Sequence, residues 1–256
     1  MSAFVDFGYA QARIQARYGE RPPELAWQQL DGAADFALYL EHARATPLRP
    51  WVANLSPSTP VHELESRLRA GLQALVEEVA GWLPRAWRPA ARWAGLLAGL
   101  PVAQQLAGGA GVLPWMRSDD SLAPLLAARR EGPGGRFAGL PTPLQRACGQ
   151  DPTWLLDAWL ESWRALWPPM GQGERRALEG LAQLLRSHLL GFARVPVADA
   201  WEARRALQRK LQQRFRRSAF EPTAVFVYLA LVALDLERLR AALVGRALYP
   251  QQRAMS

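Results

Sequence analysis

With 256 residues, half of them hydrophobic and about a fifth charged, the chain carries enough apolar side chain to bury a sizeable core, which excludes a disordered polymer. The net charge of +8 comes from 31 basic residues, Lys210 being the single lysine among them, and it favours anionic partners without choosing among phosphate, lipid headgroup and acidic protein. The lone Cys148 excludes an internal disulfide and a cysteine-built zinc site, so a reducing, cytoplasmic setting is the expectation.

Alternating Val/Ile/Thr runs bounded by turns do not occur, and good helix formers dominate. The pattern predicts an all-α fold of about ten helices. The first is predicted over Phe4 to Tyr18, ending at Gly19 before Pro22 and Pro23. Its Asp6 and two arginines stand where the apolar region of a secretory signal would lie, so none is expected. Two short helices follow, near Glu24–Leu30 and Ala33–Ala45. Thr59 is the expected cap of a long helix that has Pro60 in its first turn and runs to Leu83, buried along Leu64, Leu68, Leu72, Leu75 and Val79.

Pro84 and Pro89 separate that helix from one predicted over Arg92–Leu100. From Pro101 to Pro143 the chain is rich in Gly and Pro, with one short helix predicted at Ser121–Arg130. Its GGAG and GPGG runs lack the Lys-Ser/Thr that a phosphate-cradling loop requires. The uncharged stretch from Trp93 to Met116 holds two prolines and five glycines, a poor spanning helix. Residues 1–107 and 144–256 thus form two helical groups joined by a 108–143 connector, as two lobes or as one domain.

In the second group, Asp151 and Pro152 are expected to open a helix carrying Trp154, Trp159, Trp163 and Trp167, which core packing explains best. Helices are predicted over Glu174–Phe192 and Asp199–Phe215, and Ser218 with Glu221 has capping-box spacing before the last one. In that last helix residues 222–234 are almost wholly apolar, and the segment is expected to emerge from the core near Asp235.

Chemistry-bearing clusters are scarce. His42, His62 and His188 are dispersed and read as surface residues, with no metal-ligand spacing. No cofactor, metal or small-molecule substrate is implied, and catalysis is not expected. The most basic tract holds Arg204, Arg205, Arg209, Lys210, Arg214, Arg216 and Arg217, with Leu207, Leu211 and Phe215 on the opposite face. A solvated helix face is the simplest reading. The functional one is a strip for an acidic partner, anionic lipid or nucleic acid, the last disfavoured by the lack of interleaved exposed aromatics.

Two stretches carry a family resemblance. Near the N-terminus stand Tyr9-Ala10-Gln11-Ala12-Arg13-Ile14, a short helix pair over Leu25 to Leu40, and Thr46-Pro47. Near the C-terminus stand Phe226, Tyr228, Asp235, Leu239-Arg240 and Gly245-Arg246. The chain resembles the family that holds the d-type subunit of vacuolar-type ATPases and its C-type counterpart in their archaeal and bacterial relatives. Where that family has a Lys-Glu pair before the acidic residue, this chain has Val232 and Ala233.

The resemblance implies a funnel-shaped, non-catalytic rotor adaptor, peripheral to the cytoplasmic face of a membrane. Its implied partners are the membrane rotor ring and the central stalk of a V/A-type ATPase, through which it couples ATP hydrolysis to ion (proton) transport. Tyr9, Arg13, Tyr228, Asp235 and Arg240 are the motif positions, and a buried Arg13–Asp235 pair is the expected contact between the two stretches. The alternatives are a stand-alone helical protein-interaction module and a basic nucleic-acid-binding helical protein.

Overall fold

A computed structural model of the protein describes residues 3–33, 35–107, 110–119, 122–127, 142–147, 152–192 and 195–249. Every regular element among them is helical, as the Leu/Ala/Arg-rich composition dictates. Ten α-helices have eight or more residues: α1 (Ala3–Gly19), α2 (Glu24–Asp31), α3 (Phe36–Arg44), α5 (Val61–Trp82), α6 (Arg88–Gly95), α7 (Leu100–Ala107), α11 (Pro152–Ala165), α12 (Gln172–Phe192), α13 (Ala200–Arg217) and α14 (Pro222–Leu248). Shorter turns of helix, α4 (Arg49–Val52), α8 (Pro114–Arg117), α9 (Ala123–Ala127) and α10 (Thr142–Ala147), lie between them. The all-α fold read from sequence is the fold observed.

The helix ends depart from expectation where local hydrogen bonding offers an alternative. Asp35, not Ala33, opens α3, accepting from the Leu38 amide at 2.7 Å. Thr59 does not cap α5: its hydroxyl accepts from the Ser56 amide at 2.9 Å, and Pro60 takes the cap position. The helix predicted to end at Leu100 instead tightens into a 3-10 turn, Leu96–Gly99, and restarts as α7 with Pro101 in its first turn. In the connector Leu122 leads into α9 at Ala123–Ala127, and residues 121 and 128–130 of the predicted Ser121–Arg130 helix lie outside the described residues. Asp151 also lies outside them.

The largest departure concerns α14. Every residue from Pro222 to Leu229 is buried, as the apolar run requires. The helix does not emerge at Asp235. Burial narrows there to a stripe through Leu231, Val232, Asp235, Leu236, Leu239, Leu243 and Arg246, the three-and-four spacing of a helix packed on one side. Around it stand α1, α3, α5, α6, α12 and α13. Each fully buried leucine on this stripe contributes about 1.5–3 kcal/mol.

Residues of both helical groups belong to one continuous apolar core. A run of aromatic rings joins them: Phe7 meets Trp87 (5.8 Å), Trp87 meets Phe226 (6.2 Å), Phe226 meets Trp163 (4.9 Å), Trp163 meets Trp159 (5.9 Å), and Trp159 stacks near Trp93 (6.4 Å). The Trp93 indole N–H donates to the Trp159 carbonyl at 3.1 Å, tying α6 to α11 in the interior. Trp159, Trp163 and Trp167 are core residues, as expected, while Trp154 points to solvent and is 67% exposed. A separate small cluster of Val102, Leu106, Met116 and Leu122 lies where α7 meets the 110–127 segments. Its tie to α5 is ionic: Arg69 donates to the buried Asp119 carboxylate at 2.5 and 3.0 Å and lies over the Trp115 ring.

Backbone strain is confined to one place among the described residues. Phe220, in the turn from α13 to α14, has φ of 63°, the left-handed region that bulky residues avoid. It is also 48% exposed. The turn displaces the predicted capping box: Glu221 occupies the cap position of α14 without a side-chain bond, and its amide donates to the Ser218 carbonyl at 3.2 Å.

Candidate functional site

The charged residues of α14 meet the N-terminal helices. Arg21, in the turn after α1, donates Nε and an Nη to the two carboxylate oxygens of Asp235 at 2.7 and 2.9 Å, with both side chains 9% exposed. The expected Arg13–Asp235 pair does not form. Arg13 sits on the outer face of α1, its guanidinium over the rings of Tyr9 and Trp82 at 6.0 and 5.2 Å. The reason is register: Ala10 and Ile14 take the buried face of α1 and turn Tyr9 and Arg13 outward. Arg21 lies beyond the helix end and is free to fold back onto α14.

Two more arginines extend the contact. Arg238 bridges Glu24 and Asp31, at the two ends of α2, both at 2.9 Å, and covers the Trp27 ring at 4.7 Å. Arg246 is 4% exposed and donates to the carbonyls of Leu30 and Ala33 at 3.4 and 3.1 Å, over the ring of Tyr39. It thereby holds the connection between α2 and α3. Arg240 is exposed and pairs with Glu65 of α5 at 2.5 Å. The two motif stretches, joined by residue pairs 207 to 216 positions apart, are therefore one packed unit.

Burial pushes the Asp235 carboxyl above the usual carboxylate range, against the pull of Arg21 and Arg238. Tyr228 is buried, and desolvation raises its phenol to about 12. The unfolded chain releases this proton near 10 while the folded chain retains it. Stability is therefore expected to fall as pH rises between about 10 and about 12. Tyr228→Phe should flatten that decline in a series of urea melts across the alkaline range; an unaltered slope would exclude Tyr228 as its source.

The histidines divide. His42 and His62 are exposed as expected, but His188 is half-buried beside the Phe192 ring at 5.5 Å. Burial, then Arg204 and Lys210, hold its pKa below the ordinary value. Among the described residues no group of three or more His, Cys, Asp or Glu is arranged to hold a metal ion. No helix among them is long and apolar enough to cross a membrane.

The seven basic residues of α13 have two destinations. Arg204 turns inward, pairing with Glu237 at 3.3 Å and lying over Phe192 at 4.1 Å. Arg214 donates to the Ala177 carbonyl at 3.1 Å, beside Gly180, where an added Cβ would stand 2.9 Å from its guanidinium. Arg205, Arg209, Lys210, Arg216 and Arg217 are exposed, and among the described residues no carboxylate pairs with them. Leu207, Leu211 and Phe215 are buried on the opposite face, and Phe215 stacks on Tyr18 at 4.2 Å.

Motif and periodicity did not point to Arg21, Arg238 or Phe220. Arg238 was within reach, since it stands three residues from Asp235 on one helix. Arg21 and Phe220 lie in turns, where periodicity carries no signal. Comparison with protein-family models, characterised proteins and solved structures finds no match for this chain.

Proposed function

We propose that the chain is a non-catalytic helical adaptor of a V/A-type rotary ATPase, peripheral to the cytoplasmic face of the membrane and seated between the rotor ring and the central stalk. The observation that carries this reading is the meeting of the two motif-bearing stretches. Asp235, Arg238 and Arg246 of α14 are each bonded to residues between Arg21 and Ala33. Segments that resemble one family at opposite ends of a chain gain weight when they build one structural unit. Buried, bonded arginines and carboxylates suit a rigid shell better than a reaction centre, because each is committed to a partner within the fold.

Torque transfer demands such rigidity, and a basic outer face suits acidic neighbours. The test is co-purification. Tagged protein recovered from its native membranes is expected to bring down ring and central-stalk subunits. If it brings down no ATPase subunit, and the motor assembles and couples without it, this reading fails.

A further inference from the structure

We infer that the outer face of α13, with the turn that follows it, is a docking surface for an anionic phospholipid bilayer. At 100° per residue Arg205, Arg209 and Arg216 fall within about 40° of one another, with Lys210 and Arg217 to one side of them. The line from Arg205 to Arg216 is about 16 Å long at 1.5 Å per residue. All five cations are exposed, and Glu202 is the single acid on the helix. Other arginines in this protein have found carboxylates: Arg21, Arg69, Arg238 and Arg240 are all paired. Among the described residues the five on α13 have not, although Glu237 and Glu179 lie on the helices that flank it. Their charge is left for something outside the chain.

Three residues beyond the last cation stands Phe220. It is 48% exposed, in a left-handed backbone conformation that non-glycine residues rarely adopt. An apolar ring held outward at the end of a cationic line matches the boundary between headgroups and acyl chains. The cations match the negative surface potential of anionic leaflets. Nucleic acid is the poorer fit, because the one aromatic between the cations, Phe215, is buried against Tyr18 and offers bases nothing to stack upon. Glu221 lies in the turn, where burial and then the charge of Glu174 raise its carboxyl; the two carboxylates set a limit on how closely that end approaches the surface.

The inference does not depend on membership of a rotary motor. It is tested on the full chain by co-sedimentation with vesicles of about 30 mol % phosphatidylglycerol in phosphatidylcholine, against pure phosphatidylcholine. Binding is expected to the anionic vesicles alone, and to be lost between about 100 and about 500 mM salt. Each removed cation should weaken it about fivefold, so Arg209→Gln with Lys210→Gln should lose more than tenfold at an unchanged melting temperature. Phe220→Ala should weaken it severalfold with the charges intact. Sedimentation with neither vesicle, equal binding to both, or anionic binding untouched by the double replacement overturns the inference. A homopolymeric RNA bound at low salt while the vesicles are ignored overturns it in favour of nucleic acid. Failure of the co-purification described above would leave each of these outcomes unaffected.

Discussion

Alanine at Asp235 is expected to destabilise the fold by about 3–5 kcal/mol, because it strands the Arg21 guanidinium where almost no water reaches it. The carboxylate and the guanidinium are held by two parallel bonds, and each has been taken out of solvent to make them. Burial outweighs the attraction at Asp235, whose carboxyl is pushed up rather than down. An ion pair of this kind adds little over an apolar contact of the same shape, yet neither half is removed cheaply. Arg21→Ala should therefore cost a similar amount, and the pair Arg21→Met with Asp235→Leu should recover most of the loss. Urea midpoints of the four proteins measure this directly. A melting curve of Asp235→Ala that overlies the parent would refute the account, and additive losses in the double variant would show that the two residues act separately.

The second large effect is expected at Trp163. Its side chain is 2% exposed and touches Trp159, Trp167 and Phe226, so it joins α11 to α14 at the middle of the aromatic run. Trp163→Ala removes the ring and leaves a cavity that three other rings cannot collapse to fill, at about 3–5 kcal/mol. In a chain of this size that corresponds to a fall in Tm of roughly 10 °C. Trp163→Phe should cost much less, since it keeps an aromatic ring and deletes an indole N–H that has no hydrogen-bond partner among the described residues. Trp154→Ala, on the exposed face of the same helix, should change stability by less than about 0.5 kcal/mol. Equal Tm losses at 154 and 163 would show that the aromatic run does not hold the two helices together.

The contrast between those two tryptophans shows what is legible in the sequence. Leucine, alanine and arginine runs specify helices, and leucine spacing identifies the buried face of α13 and, through Leu64, Leu68 and Val79, most of that of α5, whose Leu72 and Leu75 are half-buried while Val76 takes the core. Trp154, Trp159 and Trp163 of α11, with Trp167 just past its end, read together as core, yet only the packing of α6 and α14 decides where the core ends and leaves Trp154 out. Asp235 shows a related limit. A charged residue after an apolar run reads as an exit from the core, yet Arg21 travels from a turn 214 positions away to meet it. Arg13 misleads on similar grounds: it stands at a motif position, but its helical register turns it outward. Val232 shows the opposite case. It belongs to the apolar run that reads as core, and at 6% exposure core is what it is. Phe220 could not be read at all, since left-handed backbone at phenylalanine has no sequence signature.

The position of α14 along the chain has a consequence for biosynthesis. The helices from Ala3 to Arg44 rest against a partner whose residues are translated more than 170 positions later. Until Pro222 to Arg246 has left the ribosome, Trp27 lacks the cover of Arg238 and Tyr39 that of Arg246, and Trp87 and Trp163 lack the ring of Phe226. Pairings this distant in sequence close last and leave apolar surface open meanwhile. The N-terminal half is thus a nascent chain in need of shielding, and its native packing is a late event, completed when the final helix arrives.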